Sequence, residues 1–137
     1  MQPEATTIRT VVIKNKTGLA HEITVDGHTL LSDEPAPEGQ DAGPDPHELL
    51  LASLGACQAI TLRLYCNRKG WDLGDLTVTV TNERLPDGNE RIDSRIVATG
   101  ALDEEQRHRL QDIMGRCPVA RLLKGTPQTT ERFDSVG

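Results

Sequence analysis

Strand-like patterns fill the first quarter of the chain, where β-branched and other apolar residues recur in short runs. Residues 8–14 are rich in β-branched side chains, and residues 19–25 are mostly of types that favour extended structure. Turn-forming residues separate these runs at 16–18 and follow them at 26–28. The pattern predicts an antiparallel meander of strands between Thr7 and Leu31.

Further strands are predicted nearer the C-terminus. Residues 76–80 and 91–98 have strand-like patterns, and the Leu-Pro-Asp-Gly-Asn segment at 85–89 between them has the chemistry of a hairpin turn. A last strand is predicted near 128–133. The segment 32–45 holds three prolines and two glycines among acidic residues, so it is predicted to be a loop.

A long helix follows that loop. Asp45 is placed as its N-cap, Pro46 at its first position and Glu48 at the position that completes a capping box. Gly70, directly after Lys69, is expected to end it. The helix is apolar nearly all round, which is tolerated only when a helix is enclosed on most sides. The sequence therefore predicts a partner subunit that packs the same helix against its twin.

Two shorter helices are predicted after the second pair of strands. Asp103 caps the first, residues 104–114, and Gly115 stops it. Pro118 favours the first position of the second, which is expected to end near Lys124. The fold class that follows is α+β, with antiparallel sheets packed on a long, buried central helix.

Length, charge and composition narrow the possible functions. A chain of 137 residues fits one core, so residues 1–137 are predicted to form a single domain. A net charge of -6 and 2% aromatic residues argue against nucleic-acid partners, whose recognition needs basic clusters or stacking platforms. No apolar leader occupies residues 1–10, and the apolar stretch 49–64 is broken by polar side chains. We expect a cytoplasmic protein with a small-molecule ligand and no membrane partner.

Three cysteines, Cys57, Cys66 and Cys117, are the candidates for chemistry. Structural disulfides are rare in the cytoplasm, so these thiols are either inert core residues or reactive groups. No two of them have the spacing of a zinc-binding pair and no histidine pair lies near them. The sequence therefore predicts neither a metal nor a cofactor.

Cys117 is placed by Pro118 at the N-cap of a short helix, where free backbone N–H groups stabilise a thiolate. Arg116 and Arg121 lie close in sequence and would lower its pKa further if their side chains point at the sulfur. The alternative is a buried, unreactive cysteine beside a chain stop.

Cys57 lies in the middle of the long helix among the small residues Gly55, Ala56 and Ala59, which leave space for a substrate or a second sulfur. The alternative is a small core residue, which is the usual role of a cysteine on an apolar helix. Cys66 is half a turn away from Cys57 on an ideal helix, so the two cannot bond within one helix, and we expect Cys66 to be structural.

His47 and Glu48 lie in the first turn of the long helix. Capping gives Glu48 a sufficient structural role. At about 1.5 Å rise per residue, both lie roughly 14 to 15 Å along the axis from Cys57, so only a twin subunit could bring either to that sulfur.

Two segments resemble the OsmC/Ohr family. The first is Gly43-Pro44-Asp45-Pro46-His47-Glu48-Leu49-Leu50-Leu51-Ala52-Ser53-Leu54-Gly55-Ala56-Cys57, continued by Thr61-Leu62-Arg63 and Arg68-Lys69-Gly70-Trp71, which is similar to the family's central helix. The second, Arg116-Cys117-Pro118-Val119, resembles its second cysteine motif. The two motifs have the family's order and separation, and the order of elements agrees over nearly the whole chain.

The resemblance implies an intertwined homodimer in which the two cysteines meet at the subunit interface. It also implies a thiol-dependent peroxidase for small organic hydroperoxides, with Cys57 as the attacking thiolate and Cys117 as the resolving thiol. An external dithiol reductant would restore both. The expected biological role is defence against oxidative stress.

The sequence departs from the peroxidase pattern at one position. His47 stands where the resemblance places an activating glutamate, with Glu48 one residue further on, and no arginine in the N-terminal strands lies in a recognisable family motif. The chain therefore resembles the broad OsmC-like branch more than a typical organic hydroperoxide resistance protein. The alternative function is a dimer that binds a small ligand or senses redox state without rapid peroxidase activity.

Overall fold

The computed structural model describes residues 4–137. The chain divides into two compact units, one that ends at Leu50 and one that runs from Leu51 to Gly137. Two antiparallel sheets and three helices make up the structure, so the predicted α+β class is confirmed.

The first unit contains a three-stranded sheet in the order β1-β2-β3. Its strands are β1 (Val12–Thr17), β2 (Ala20–Val25) and β3 (His28–Ser32), and both pairs are antiparallel. Asp26 and Gly27 form the second turn with positive φ angles of 45° and 80°, which glycine and aspartate tolerate better than most residues. The predicted meander is confirmed, with β1 beginning four residues later than expected.

The loop from 33 to 45 is organised around the buried carboxylate of Asp33, which is 3% exposed. Its oxygens accept hydrogen bonds from the backbone N–H groups of Glu34 at 2.7 Å and of Gln40 and Ala42 at 3.1 Å. These three donors lower the pKa of Asp33 more than burial raises it, with Ala42 the largest contributor. A single side chain thereby holds both ends of an otherwise irregular loop.

Helix α1 (Pro46–Lys69) has the predicted bounds and the predicted cap. The Asp45 N–H donates to Glu48 Oε1 at 2.9 Å, and the Glu48 N–H donates to Asp45 Oδ1 at 2.8 Å. This reciprocal pair is a capping box, so the structural role expected of Glu48 is confirmed. Gly70 follows the helix with φ of 72°, the left-handed conformation that ends helices.

The second unit pairs β4 (Leu76–Arg84) with β5 (Glu90–Ala98) in an antiparallel hairpin. Helices α2 (Glu104–Met114) and α3 (Pro118–Lys124) follow with the predicted bounds. One core cluster of this unit centres on Leu62, Cys66, Leu73 and Leu110, and a second on Leu54, Cys117 and Ala120.

The prediction of a strand near 128–133 is wrong. Residues 126–137 have no regular secondary structure, and Phe133 is 92% exposed. A strand needs a neighbouring edge to satisfy its backbone groups, and no pairing of this segment with another strand occurs in the described part of the chain.

The buried side chains of α1 form one stripe rather than a full circumference. Leu54, Gln58, Leu62 and Cys66 recur every four residues along it and are buried together with Gly55. On another face Ile60 and Leu64 are 60% and 63% exposed, so the single chain leaves open the side of the helix that a twin subunit is predicted to cover. By length and composition α1 could also cross a membrane, a property that the core helices of soluble proteins share.

Candidate functional site

The structure brings Cys57 and Cys117 together within the second unit. Cys57 lies on α1 and is partly exposed, whereas Cys117 is 1% exposed and stands at the N-cap of α3. Pro118 at the first position of α3 and the extended backbone of Cys117, with φ of -63° and ψ of 158°, turn the chain there. Cys57 packs against the buried cluster that contains Cys117, and its thiol is near enough to add to the raised pKa of Cys117. We call these two residues the thiol pair.

Apolar side chains enclose the thiol pair. Leu54 and Ala120, both 5% exposed, form one buried cluster with Cys117, and Cys57 packs against that cluster. The sheet contributes Val80 and Ile92. Such surroundings limit the access of water to the inner sulfur.

Gly55 allows α1 to lie close to strand β4. A Cβ atom at Gly55 would stand 3.0 Å from Val80 Cγ2 and 3.7 Å from Val78 Cγ1. The space expected beside the thiols at this glycine is therefore filled by the sheet, which corrects one argument from the sequence. The contact fixes the part of the helix that carries Cys57 against the sheet.

The pKa of Cys117 is raised, which reverses the sequence prediction. Burial is the largest cause, and the neighbouring Cys57 adds to it. Backbone N–H groups of Ala120 and Val119 lower the pKa as expected at a helix N-terminus, but by less than the two raising effects. Cys117 is thus held as a protonated thiol.

The arginine side chains considered as neighbours of Cys117 make other contacts or are exposed. Arg116 forms an ion pair with Asp112 on α2, and Arg121 is exposed on α3. Arg63, six residues beyond Cys57 on α1, donates to the carbonyl oxygen of Gly74. None of the three is a cause of the pKa shift found at Cys117.

His47 and Glu48 lie in the first unit, on the first turn of α1. His47 is exposed, and the Glu48 carboxylate is occupied by the capping box. Nine and ten residues of α1 separate Glu48 and His47 from Cys57 along the chain.

Cys66 is fully buried among Leu62, Leu73 and Leu110. Burial raises the pKa of its thiol, while the charge of Arg63 lowers it by less. A protonated, enclosed thiol is the environment of a structural cysteine. Within residues 4–137, no group of three His, Cys, Asp or Glu side chains could hold a metal ion.

Two residues of this structure were not singled out by the sequence arguments. Gln58 is 5% exposed, and its Oε1 atom has no hydrogen-bond partner among the described residues. A polar residue at four-residue spacing from Leu54 and Leu62 was the available signal. Asp33 was also missed, although an aspartate that opens a loop rich in proline and glycine often accepts backbone hydrogen bonds.

An α+β unit that encloses two neighbouring thiols, one on a central helix and one at the start of a short helix, defines a dithiol protein. The family model for OsmC-like proteins matches residues 39–132, and the chain belongs to this family. The resemblance found in the sequence is confirmed. No curated protein matches the sequence.

Solved structures of family members share the fold. An OsmC-like protein from Mycoplasma pneumoniae is 21% identical, with a TM-score of 0.76 over 88% of this chain and 90% of its own. An organic hydroperoxide resistance protein OsmC from Legionella pneumophila is 20% identical, with a TM-score of 0.61 over 88% and 93%. The organic hydroperoxide resistance protein OhrB of Bacillus subtilis is 23% identical, with a TM-score of 0.57 over 85% of this chain and 91% of its own. At these identities the similarity concerns the fold.

Proposed function

We propose that this protein is a thiol-dependent peroxidase that reduces organic hydroperoxides through Cys57 and Cys117. The packing of Cys57 against the buried cluster that contains Cys117 carries the proposal, because it makes the two cysteines neighbours in one chain, as a resolving reaction between them requires. Two fold relatives are organic hydroperoxide resistance proteins, which supports the same substrate class.

The two thiols have different roles in the reaction, the partly exposed Cys57 as the outer thiol and the buried Cys117 as the inner thiol. The Cys57 thiolate attacks the terminal peroxide oxygen, the O–O bond breaks, and the leaving alkoxide takes a proton to become the alcohol. Cys57 is then a sulfenic acid. The Cys117 sulfur attacks the Cys57 sulfur as the Cys117 proton passes to the sulfenic oxygen, so the S–O bond breaks, a disulfide forms and water leaves. An external dithiol reduces the disulfide and returns both thiols.

The different exposure of the two sulfurs supports these roles. Cys57 is partly exposed and can meet a peroxide, whereas Cys117 is buried and its raised pKa keeps it protonated. A protonated inner thiol does not compete for the peroxide, since the thiolate is the nucleophile.

We propose that the working form is a homodimer in the cytoplasm. Support comes from the exposed face of α1, where Ile60 and Leu64 are more than half exposed one helical turn apart. A contiguous apolar surface of this kind marks an interface in soluble proteins. A twin subunit is also the only source from which His47 or Glu48 could reach a thiol pair.

The second candidate is a dimer that binds a small ligand or senses redox state without rapid peroxidase activity. The occupation of Glu48 by the capping box favours it, because that carboxylate is then not free to activate a thiol. The two candidates differ in one observable, the speed with which the thiol pair responds to peroxide.

The test is a single-turnover reaction. Reduced protein is mixed with one equivalent of cumene hydroperoxide, and free thiols and crosslinked peptides are then measured by titration and mass spectrometry. The peroxidase loses two of its three thiols within seconds and yields a link between Cys57 and Cys117. Cumyl alcohol, which lacks the O–O bond, is the matched control. Persistence of all three thiols for many minutes contradicts the peroxidase and supports the second candidate.

A further inference from the structure

A cavity of about 1130 Å³ lies within the second unit, between strand β5 and the helices. Its walls are mainly apolar, with leucines from α1, α2 and the connecting segments, among them Leu62, Leu73, Leu102 and Leu110. Pockets that bind small molecules usually have volumes of about 300 to 1,000 Å³ and largely apolar walls with a few polar groups. The cavity is large enough to hold such a molecule.

Gln58 is the polar group at this cavity that lacks a partner. Its side chain lines the cavity and is 95% buried, and its Oε1 atom accepts no hydrogen bond from the described residues. Leaving a buried acceptor unsatisfied is unfavourable, so native proteins nearly always provide a donor. A ligand with a hydroxyl or N–H group would provide it.

The exposed residues of the lining mark the mouth of the cavity, and half of them are basic. Arg95, Arg107 and Lys124 lie there, and no carboxylate within residues 4–137 forms an ion pair with any of them. Arg91 is also part of the lining but is paired with Glu83 and Asp93.

Glu90 is the acidic residue of the lining, and its carboxylate accepts a hydrogen bond from Asn82. The lining thus holds three cations without ion-pair partners and one carboxylate, and two of these cations, Arg107 and Lys124, donate to backbone carbonyl oxygens. This balance favours a ligand whose exposed end is negative.

We propose that this cavity binds a small apolar molecule that carries a hydroxyl or N–H donor for Gln58 and an anionic group for the basic mouth. The site is separate from the thiol pair, since neither Cys57 nor Cys117 is among the described residues that line it. Leu54 and Ala120 belong both to the cavity wall and to the cluster around Cys117. A bound ligand therefore lies one side chain away from the inner thiol.

Two probes that differ by one donor test the role of Gln58. Indole-3-butyrate has an apolar body, an N–H group and a carboxylate, and its benzothiophene analogue replaces the N–H group with a sulfur atom, which donates no hydrogen bond and adds no substituent. By calorimetry with the full chain, we expect indole-3-butyrate to bind more tightly by about threefold to tenfold, the usual net effect of one buried hydrogen bond. Gln58→Leu removes this preference and remains folded, because an apolar replacement leaves no acceptor unsatisfied.

A second pair of variants locates the binding site. Ser94 lies on β5 and lines the cavity, so Ser94→Phe fills it and abolishes binding. Thr81→Phe is the control, because Thr81 pairs with Asp93 across the same hairpin and both residues are exposed outside the lining. Cys57→Ser retains binding whether or not the protein is a peroxidase. Absent binding, equal affinity for both probes, a preference that survives Gln58→Leu, or binding that survives Ser94→Phe would each overturn the proposal.

Discussion

Cys57 packs against the buried cluster that contains Cys117, and the two side chains differ in their access to solvent. Cys57 is partly exposed on α1, whereas Cys117 is buried beneath Leu54 and Ala120. A peroxide that enters from solvent meets the outer sulfur first. The inner sulfur is placed to react only after the outer one has been oxidised.

This asymmetry predicts different failures for the two serine variants. Cys57→Ser abolishes peroxide consumption, because no thiolate remains at the accessible position. Cys117→Ser consumes one equivalent and then stops, because a sulfenic acid on Cys57 has no resolving partner. Peroxide consumption and trapping of the sulfenic acid with dimedone distinguish the two variants. Cys66→Ala is the control and retains turnover, so loss of activity in that variant while it remains folded would contradict the assignment.

The raised pKa values of Cys66 and Cys117 predict a loss of stability at alkaline pH. Both thiols bind their proton more tightly when folded than their ordinary pKa of 9.0 implies. Their contribution to stability is therefore complete below about pH 9 and is lost as the pH rises through the folded-state values. Urea unfolding of the reduced protein at pH 7 to 10 measures it. The difference in unfolding free energy between wild type and Cys66→Ala/Cys117→Ala should shrink above pH 9, and a constant difference would contradict the prediction.

Gly55 predicts a specific packing defect. A leucine there would collide with Val80, which a Cβ atom alone would approach to 3.0 Å. We expect Gly55→Leu to lower the unfolding free energy by about 1 to 3 kcal/mol, the usual effect of overpacking. Thermal and urea unfolding measure the loss. Val80→Ala makes room, so the double variant should lose less stability than the two single variants added together, and simple additivity would contradict the contact.

The hydrogen bonds accepted by the buried carboxylate of Asp33 predict that Asp33→Asn will loosen the loop locally. Asp33→Asn replaces one acceptor oxygen with an NH₂ group that faces backbone N–H donors, so the loop should open. Hydrogen exchange at the amides of Gln40 and Ala42 should accelerate at neutral pH. Glu34→Gln, on the exposed neighbouring residue, is the control and should leave that exchange unchanged.

The same carboxylate gives this defect a pH dependence. The folded-state pKa of Asp33 lies below its ordinary value of 3.8, so its contribution is present above that pH and is lost as the pH falls further. Wild type and Asp33→Asn should therefore converge in stability as the pH falls below about 3.8. A difference that stays constant under acid would show that the charge of Asp33 is not what holds the loop.

Local signals were sufficient to predict most elements of the fold. The ends of α1, α2 and α3 depend on capping residues and stop signals that act over three or four positions, and all three helices have the predicted bounds. The segment 128–133 has a strand-like composition, but a strand exists only beside another edge. Its failure to form shows the limit of local pattern, because pairing depends on distant parts of the chain.

The thiol pair could be predicted only in part. The family motifs identified Cys57 and Cys117, whereas the sign of the pKa shift at Cys117 depends on burial by Leu54 and Ala120, which comes from two helices far apart in sequence. The backbone N–H groups at the start of α3 do lower the pKa of Cys117, as the sequence predicts, but burial raises it by more. Gln58 shows the same limit, because its missing partner is a property of the packed cavity.

The exposed face of α1 predicts that charge will separate the subunits. Ile60 and Leu64 are 60% and 63% exposed, and burying two such side chains against a twin helix stabilises a dimer by roughly 1.5 to 3 kcal/mol each. Ile60→Lys/Leu64→Lys would place four like charges in the shared interface of a symmetric pair. The variant should therefore elute as a monomer when light scattering is measured across a size-exclusion peak, while the wild type elutes as a dimer. Gln128→Lys/Thr130→Lys adds the same charge at two exposed positions outside α1, so it is the control and should remain dimeric. A wild type that is monomeric at micromolar concentration would contradict the homodimer and leave the thiol chemistry to be tested on the single chain.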